Sequence, residues 1–497
     1  MFRRPPSVAL AALTLLVVVP AWAAEPSRRP NVVFILADDL GWVDVAPYGS
    51  TFHDTPNLKR LAERSVRFTQ FYAASPLCSP TRSSILTGLY PARTGITAPV
   101  CHLPQVRLEK RLVPGRPNQR VRIADSLTRL KGEYVTLAEV FKEAGYATAH
   151  FGKWHLGHGP GYEPKDQGFD LDVPHTPNAA GPGGGYFAPW RFVRDPQFRG
   201  EPGEHIDEWM AGKAAAFIDE HKDQPFFLNF WAYSVHSPWN STAERIEPFL
   251  KGVKPDAPQR NPLYAAMVKA LDVAVGKILD ALDEAGVADE TIVVFTSDNG
   301  GWAYPPRATD PPGFEATPAT SNAPLRSGKA SNYEGGTRVP CLIAWPGRAT
   351  PGTRDALFSS VDFFPTLLAM TGIEPTRRPV TDGLDQVRAI LGQGSPRESV
   401  FVHFPHGSEA QEKNIPGFWP ATWVRRGDWK LIRFHAKNED GSDRWELYDL
   451  KSDVGESRNL AMDRPEVVRE LSSQIAVFLK ETEAVVPLPH PAPVGGG

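Results

Sequence analysis

The chain reads as an α/β protein: a large, mostly parallel sheet flanked by helices, then a smaller C-terminal α+β subdomain containing an antiparallel sheet. Three observations predict this. Continuous apolar runs, such as residues 31–36 and 291–296, end abruptly in acids, the form of strands buried on both faces. Amphipathic stretches with helix start and stop signals separate such runs, the alternation that builds a parallel sheet. From residue 399 onward the runs become short and closely spaced, as in a second, smaller sheet.

Taken in order, the chain opens with Arg3 and Arg4, an apolar run over 8–19, and Ala21-Trp22-Ala23 at the usual cleavage spacing. Residues 1–23 therefore read as a secretory signal peptide, too short in its apolar part to favour a spanning helix. The mature chain is then exported, periplasmic or secreted, with no membrane attachment after cleavage. The run 31–36 is a strand ending in Ala37-Asp38-Asp39, and Thr55-Pro56-Asn57-Leu58 supplies an N-cap with proline at the first helical position. Ser79-Pro80 opens a turn and residues 81–86 start a helix, which sets Cys78 at a helix N-terminus, where anions are favoured. Arg82, one turn on, can offer its fork of donors to an oxyanion or to the group at position 78. Thr136 and Glu139 form a capping box for a helix ending near Gly145, and 147–151 is the next strand. Residues 226–231 make another. A helix over 264–284, stopped by Gly286, leads into the strand 291–296 and then Ser297-Asp298-Asn299-Gly300.

These elements make a catalytic domain over 27–385, closed by the helix that starts at Asp362 and the loop around Asp382. A C-terminal subdomain follows over 396–485, with strands at 400–404, 422–426, 429–434 and 445–448 and a helix over 465–482. Residues 486–497 read as a disordered tail.

The 54 Lys and Arg against 57 Asp and Glu give a net charge of -3, which excludes general attraction to nucleic acid or anionic membrane. Any preference for anions must be local. The 49 prolines and 42 glycines make a loop-rich chain, suited to building a pocket on a rigid scaffold. Ligands of open α/β sheets bind beyond the carboxyl ends of strands, where Asp38, Asp39, Asp298 and Asn299 all fall. They should converge. Three carboxylates and an amide are hard oxygen ligands, suited to Ca²⁺ or Mg²⁺ more than to Zn²⁺.

Residues 78–88, Cys-Ser-Pro-Thr-Arg-Ser-Ser-Ile-Leu-Thr-Gly, match the run in which type I sulfatases oxidise a cysteine to formylglycine. The chain resembles that family, within the alkaline-phosphatase-like superfamily. Gly152-Lys153-Trp154-His155-Leu156-Gly157, Val235-His236-Ser237-Pro238, Pro324-Leu325-Arg326-Ser327-Gly328-Lys329 and Glu334-Gly335-Gly336-Thr337-Arg338-Val339-Pro340 extend the resemblance. So do Glu446-Leu447-Tyr448-Asp449-Leu450 and Glu456-Ser457-Arg458-Asn459-Leu460 in the second subdomain, so that it covers nearly all of the mature chain. One departure is Ser327, where common members carry glycine.

The resemblance implies a sulfuric ester hydrolase acting on O-sulfate monoesters, with formylglycine made from Cys78 by a formylglycine-generating enzyme or its equivalent. It implies a bound Ca²⁺ on Asp38, Asp39, Asp298, Asn299 and residue 78. It also implies that Arg82 polarises the nucleophile, Lys153 neutralises charge and His155 is a base, while His236 and Lys329 bind sulfate and one of them protonates the leaving oxygen. Formylglycine resolves a mismatch, because a thiolate is soft and the metal hard, whereas a hydrated aldehyde offers a hard oxygen nucleophile. A fixed cation about 4 Å from the developing charge contributes on the order of 4 kcal/mol at an effective dielectric of 20, before desolvation. Several cations are therefore decisive.

Substrate choice is less legible, with a sulfated carbohydrate expected. Residues 107–131 carry eight Lys or Arg, either a polyanion contact or a solvated loop. Tyr186, Phe187 and Trp190 either stack on sugar faces or pack a loop. His403 and His406 either line the pocket mouth or serve the core. Asn240-Ser241-Thr242 is a glycosylation sequon if the host glycosylates exported proteins. Once residue 78 is converted, Cys101 and Cys341 are the only pair left for a disulfide. Two other functions compete: a phosphate mono- or diester hydrolase on the same scaffold, and a non-catalytic sulfoglycan-binding protein.

Overall fold

The computed structural model describes Met1 and residues 28–114, 120–305, 318–377 and 379–490. Apart from Met1, the signal segment 1–23 lies outside the described residues, as does the end of the tail. Eight described strands form the main sheet: β1 (Asn31–Ala37), β2 (Val66–Phe68), β3 (Ala147–Gly152), β4 (Leu171–Val173), β5 (Phe226–Trp231), β6 (Thr291–Ser297), β7 (Cys341–Ala344) and β8 (Gly352–Arg354). Their spatial order is β8-β2-β7-β6-β1-β5-β3-β4. β7 runs antiparallel to both of its neighbours and every other pairing is parallel.

β1 is central and fully buried, as its unbroken apolar run requires. Val33 and Ile35 pack with helices Ile206–His221 and Pro262–Glu284 on one face. Val32, Phe34 and Leu36 pack on the other with Ile85 and Leu86 of helix Cys78–Thr87 and with Phe363 and Leu367. The parallel register pairs Ala37 with Ser297 and Leu36 with Trp231, so β1, β5 and β6 end level with one another. The residues just past their ends share one rim.

In the C-terminal subdomain four antiparallel strands, β9 (Ser399–Phe404), β10 (Ala421–Arg426), β11 (Trp429–Phe434) and β12 (Arg444–Asp449), carry helix Pro465–Glu481 on one face through Leu471, Ile475 and Phe478. The opposite face, with Val402, Trp423 and Ile432, packs on Tyr72, Leu77 and Tyr333 of the larger domain. At that seam Lys430 Nζ lies 3.0 Å from Glu334 Oε1 and 2.8 Å from Glu456 Oε1, with all three side chains buried.

One expectation meets a different outcome, and several readings the sequence left open are decided. Leu488–Pro489, within the stretch expected to be disordered, pairs as a strand with Val121 and Arg122. Cys101 and Cys341 are both buried and unpaired as thiols, so there is no disulfide between them. Tyr186 and Trp190 are buried and cannot stack on a sugar. His403 is a core residue, bonded to Thr422 Oγ1 and the Val485 carbonyl, while His406 meets Thr97 Oγ1 at 2.8 Å. The basic stretch spends much of its charge internally: Arg107 and Arg111 both pair with Asp125, Arg120 pairs with Glu409, and Arg129 is buried. Asn240 accepts the Tyr186 N–H. No described helix is long and apolar enough to cross a membrane.

Candidate active site

Cys78 opens its helix, with Leu77 extended before it, and the sulfur therefore projects from the helix N-terminus toward the rim of the sheet. Sγ lies 3.5 Å from Asp38 Oδ1, 4.0 Å from Asp39 Oδ1 and 3.8 Å from Lys329 Nζ. Forty residues of chain separate Cys78 from Asp38, and the packing of its helix on β1 brings them together. Burial pushes the Cys78 thiol far up, against the pull of Lys153 and Lys329, so an unmodified cysteine here stays protonated.

The acids behave as a group. Asp39 has a left-handed backbone, φ 62, which is uncommon for a side-chain-bearing residue and marks a geometry imposed by its surroundings. Its Oδ1 accepts from Asn299 Nδ2 at 2.9 Å and its Oδ2 from Lys329 Nζ at 2.7 Å. Burial raises the Asp39 pKa, but Lys329, His236 and Lys153 outweigh it and hold the carboxyl well below the usual range. Asp298 goes the other way: burial and then the Asp38 charge push it up to about 6, in spite of Arg82. Its Oδ1 accepts the Asp39 backbone N–H at 3.2 Å.

Arg82 does not reach outward as the sequence suggested. Its Nε and Nη2 donate to Asp298 Oδ2 at 3.0 and 2.7 Å, and Nη1 donates to the Lys153 carbonyl at 2.7 Å. The fork holds a carboxylate in place. Lys153 donates to Asp38 Oδ2 at 2.5 Å. His236 points Nε2 toward Asp39 Oδ2 at 3.7 Å, while Nδ1 lies 2.5 Å from the Ser237 carbonyl. Tyr186 Oη donates to the His236 carbonyl, and Gly181 sits so close that a Cβ there would lie 2.9 Å from His236 Nδ1. The glycine-rich stretch thus covers His236 rather than a sugar. His155 is buried, also with a left-handed backbone, φ 56, and its carbonyl accepts from Ser79 Oγ.

All ten residues predicted from sequence fall in or around this cluster. Sequence reasoning missed His102, whose Nδ1 lies 3.1 Å from His155 Nε2. It belongs to none of the recognisable runs.

The donor set suits a hard cation. Ligating atoms of Asp38, Asp39, Cys78 and His236 lie within 4.8 Å of one another. Asn299 Oδ1 is buried with no hydrogen-bond partner, an orphaned oxygen that a metal would satisfy. Three buried carboxylates face three cations, Arg82, Lys153 and Lys329, so a dication leaves the site net positive and ready for an anion.

Known proteins point the same way. The family model described as Sulfatase matches residues 30–373, and that described as N-sulphoglucosamine sulphohydrolase, C-terminal, matches 328–483. The chain is 32% identical to arylsulfatase A of Homo sapiens, over 93% of this chain and 89% of that protein. It is 31% identical to N-acetylgalactosamine-6-O-sulfatase of Bacteroides thetaiotaomicron, over 90% and 93%. Among solved structures, that of Ps i-CgsB superposes with a TM-score of 0.73 at 24% identity, covering 91% of this chain and 93% of the other. With its length matched almost from end to end and its signature residues gathered at one rim, the chain belongs to the sulfatase family.

Proposed function

We propose that this sulfatase removes O-sulfate monoesters from a sulfated carbohydrate, using formylglycine made from Cys78 and a Ca²⁺ ion held by Asp38, Asp39, Asp298, Asn299 and residue 78. Mg²⁺ would meet the same hard oxygens. The observation that carries the reading is the position of Cys78 Sγ, within 4.0 Å of two candidate metal acids and of Lys329. The similarity to N-acetylgalactosamine-6-O-sulfatase supports a sugar sulfate as substrate. The N-terminal segment supports export to the periplasm or exterior, and a formylglycine-generating enzyme or its equivalent is the partner needed for maturation.

Formylglycine and Ca²⁺ together supply a hard oxygen nucleophile and a Lewis acid. The chain's own residues do the rest. Arg82 pins Asp298, and Lys153 pairs with Asp38, which offsets the mutual repulsion of acids held at close range. Lys329 and His236 face the incoming sulfate. The Ser237 carbonyl takes the Nδ1–H of His236, which leaves Nε2 without a proton while the ring is neutral, and burial and then Lys329 hold the pKa down to about 3. Lys329 remains an ammonium, because Asp39 outweighs the cost of burial, so we assign the leaving-group proton to Lys329 and sulfate binding to both. His155 is kept neutral by burial and by Lys153, the state required of a base.

Mass spectrometry of the tryptic peptide containing residue 78, made on active enzyme, tests the reading directly. A formylglycine mass is expected; only intact thiol in active enzyme would overturn it. Turnover of aryl sulfate but not aryl phosphate, followed by a panel of sulfated glycans, then separates sulfate from phosphate chemistry and identifies the sugar.

A further inference from the structure

His102 stands outside every run that marks the family, yet it is the partner of His155, a buried histidine of the site. Its Nδ1 lies 3.1 Å from His155 Nε2, with ring centroids 5.3 Å apart and tilted by 39°. His155 is buried and His102 partly so. The other ring nitrogen of His155, Nδ1, is buried with no hydrogen-bond partner among the described residues.

The loop that presents His102 is clamped. Arg129, buried at the end of the basic stretch, donates through Nη1 to the carbonyls of Cys101 at 3.4 Å and Leu103 at 3.0 Å, the residues on either side of His102. His158 Nε2, on the chain just beyond His155, meets the same Leu103 carbonyl at 3.1 Å. A side chain held from both flanks loses little further entropy when it orients a neighbour.

Both rings are neutral: burial and then Lys153 lower the pKa of each. Each ring then carries one N–H, and the line between the two facing nitrogens holds one proton. If His102 supplied it, His155 would have to carry its own proton on Nδ1 and could accept nothing there. If His155 supplies it, Nδ1 keeps a lone pair.

We propose that His102 is a positioning residue for His155: its Nδ1 accepts the His155 Nε2–H, fixing the ring and leaving the Nδ1 lone pair of His155 for the reacting group. This rests on the reading of His155 as the base. When His155 Nδ1 takes up a proton, the Nε2–H bond stays intact and its hydrogen bond to His102 becomes charge-assisted, so the imidazolium is stabilised where it forms. No proton passes to His102. The arrangement follows the general logic of a base oriented by a third group, with a neutral ring in place of a carboxylate.

Two readouts on the mature enzyme test this. Long-range ¹H–¹⁵N NMR of the imidazoles, assigned with His155→Gln, should show His155 protonated on Nε2 alone, and His102→Ala should abolish that preference. On 4-nitrophenyl sulfate, His102→Ala should lower kcat by at least about tenfold, with formylglycine content and melting temperature unchanged, whereas His102→Asn, whose Oδ1 stands in for Nδ1 as acceptor, should recover most of it. A His155 protonated on Nδ1 in the wild type, or a His102→Ala enzyme within about twofold of wild type, would overturn the proposal. A fully converted wild-type enzyme inactive on sulfate esters would instead sink the underlying function, and the tautomer measurement would still decide the role of His102.

Discussion

Asp39 is the residue on which the charges of the site balance. One oxygen takes the Asn299 amide, the other takes Lys329, and its own N–H is held by Asp298. Lys329→Ala removes the ammonium that holds this carboxylate ionised and that is proposed to bind the sulfate. The expected loss in kcat/KM is about a hundredfold or more, near 3 kcal/mol of transition-state stabilisation, read by steady-state kinetics on an aryl sulfate. Asp298 carries a second prediction. Its pKa is pushed up to about 6, so below that pH a proton occupies a carboxylate proposed to hold the cation, and above it the carboxylate is free. Calcium titrated calorimetrically into chelator-stripped enzyme should therefore bind more tightly as pH rises through about 6 and level off above about 7. An affinity that does not change over that range would contradict it.

At the scale of elements, the site depends on how closely two backbone turns approach. A Cβ on Gly300 would lie 1.7 Å from the Gly335 carbonyl oxygen, which no side-chain shift can relieve because both partners are main chain. Gly300→Ala should destabilise the fold by more than about 3 kcal/mol and displace Asn299, seen as a lower melting temperature together with weakened metal binding. The convergence of the candidate metal acids was legible in the sequence because unbroken apolar runs identify buried strands, and the residues past parallel strand ends must share a rim. Cys78, Lys153, His236 and Lys329 were legible through their sequence runs. His102 was not, since it sits in an irregular loop whose position is set by Arg129 rather than by any periodic pattern. Arg82 was placed correctly but aimed wrongly: sequence gives a charge and a turn, and cannot say which carboxylate will claim the guanidinium. The helix Ile206–His221 went unread, and the antiparallel direction of β7 leaves no trace in composition. Ser327, at φ 66, occupies a left-handed conformation, the kind of position at which glycine carries no steric cost.

Across the whole molecule, the C-terminal subdomain is tied to the catalytic one through buried charge. Lys430 bridges Glu334, which opens the short helix Glu334–Thr337 just after Lys329, and Glu456 of the subdomain. Lys430→Ala would leave two buried carboxylates without their shared cation, a loss of about 3–5 kcal/mol in chemical denaturation. Activity should fall with it, because the segment that carries Lys329 loses its anchor. The same subdomain sheet packs on Leu77, directly before Cys78. Cys78 is only 1% exposed, so the folded protein would present little of it to the modifying enzyme that the proposed function requires. On the proposed function, conversion of residue 78 would therefore have to be completed while the chain is still a nascent or translocating strand, and a copy that closed too early would be a well-folded dead end.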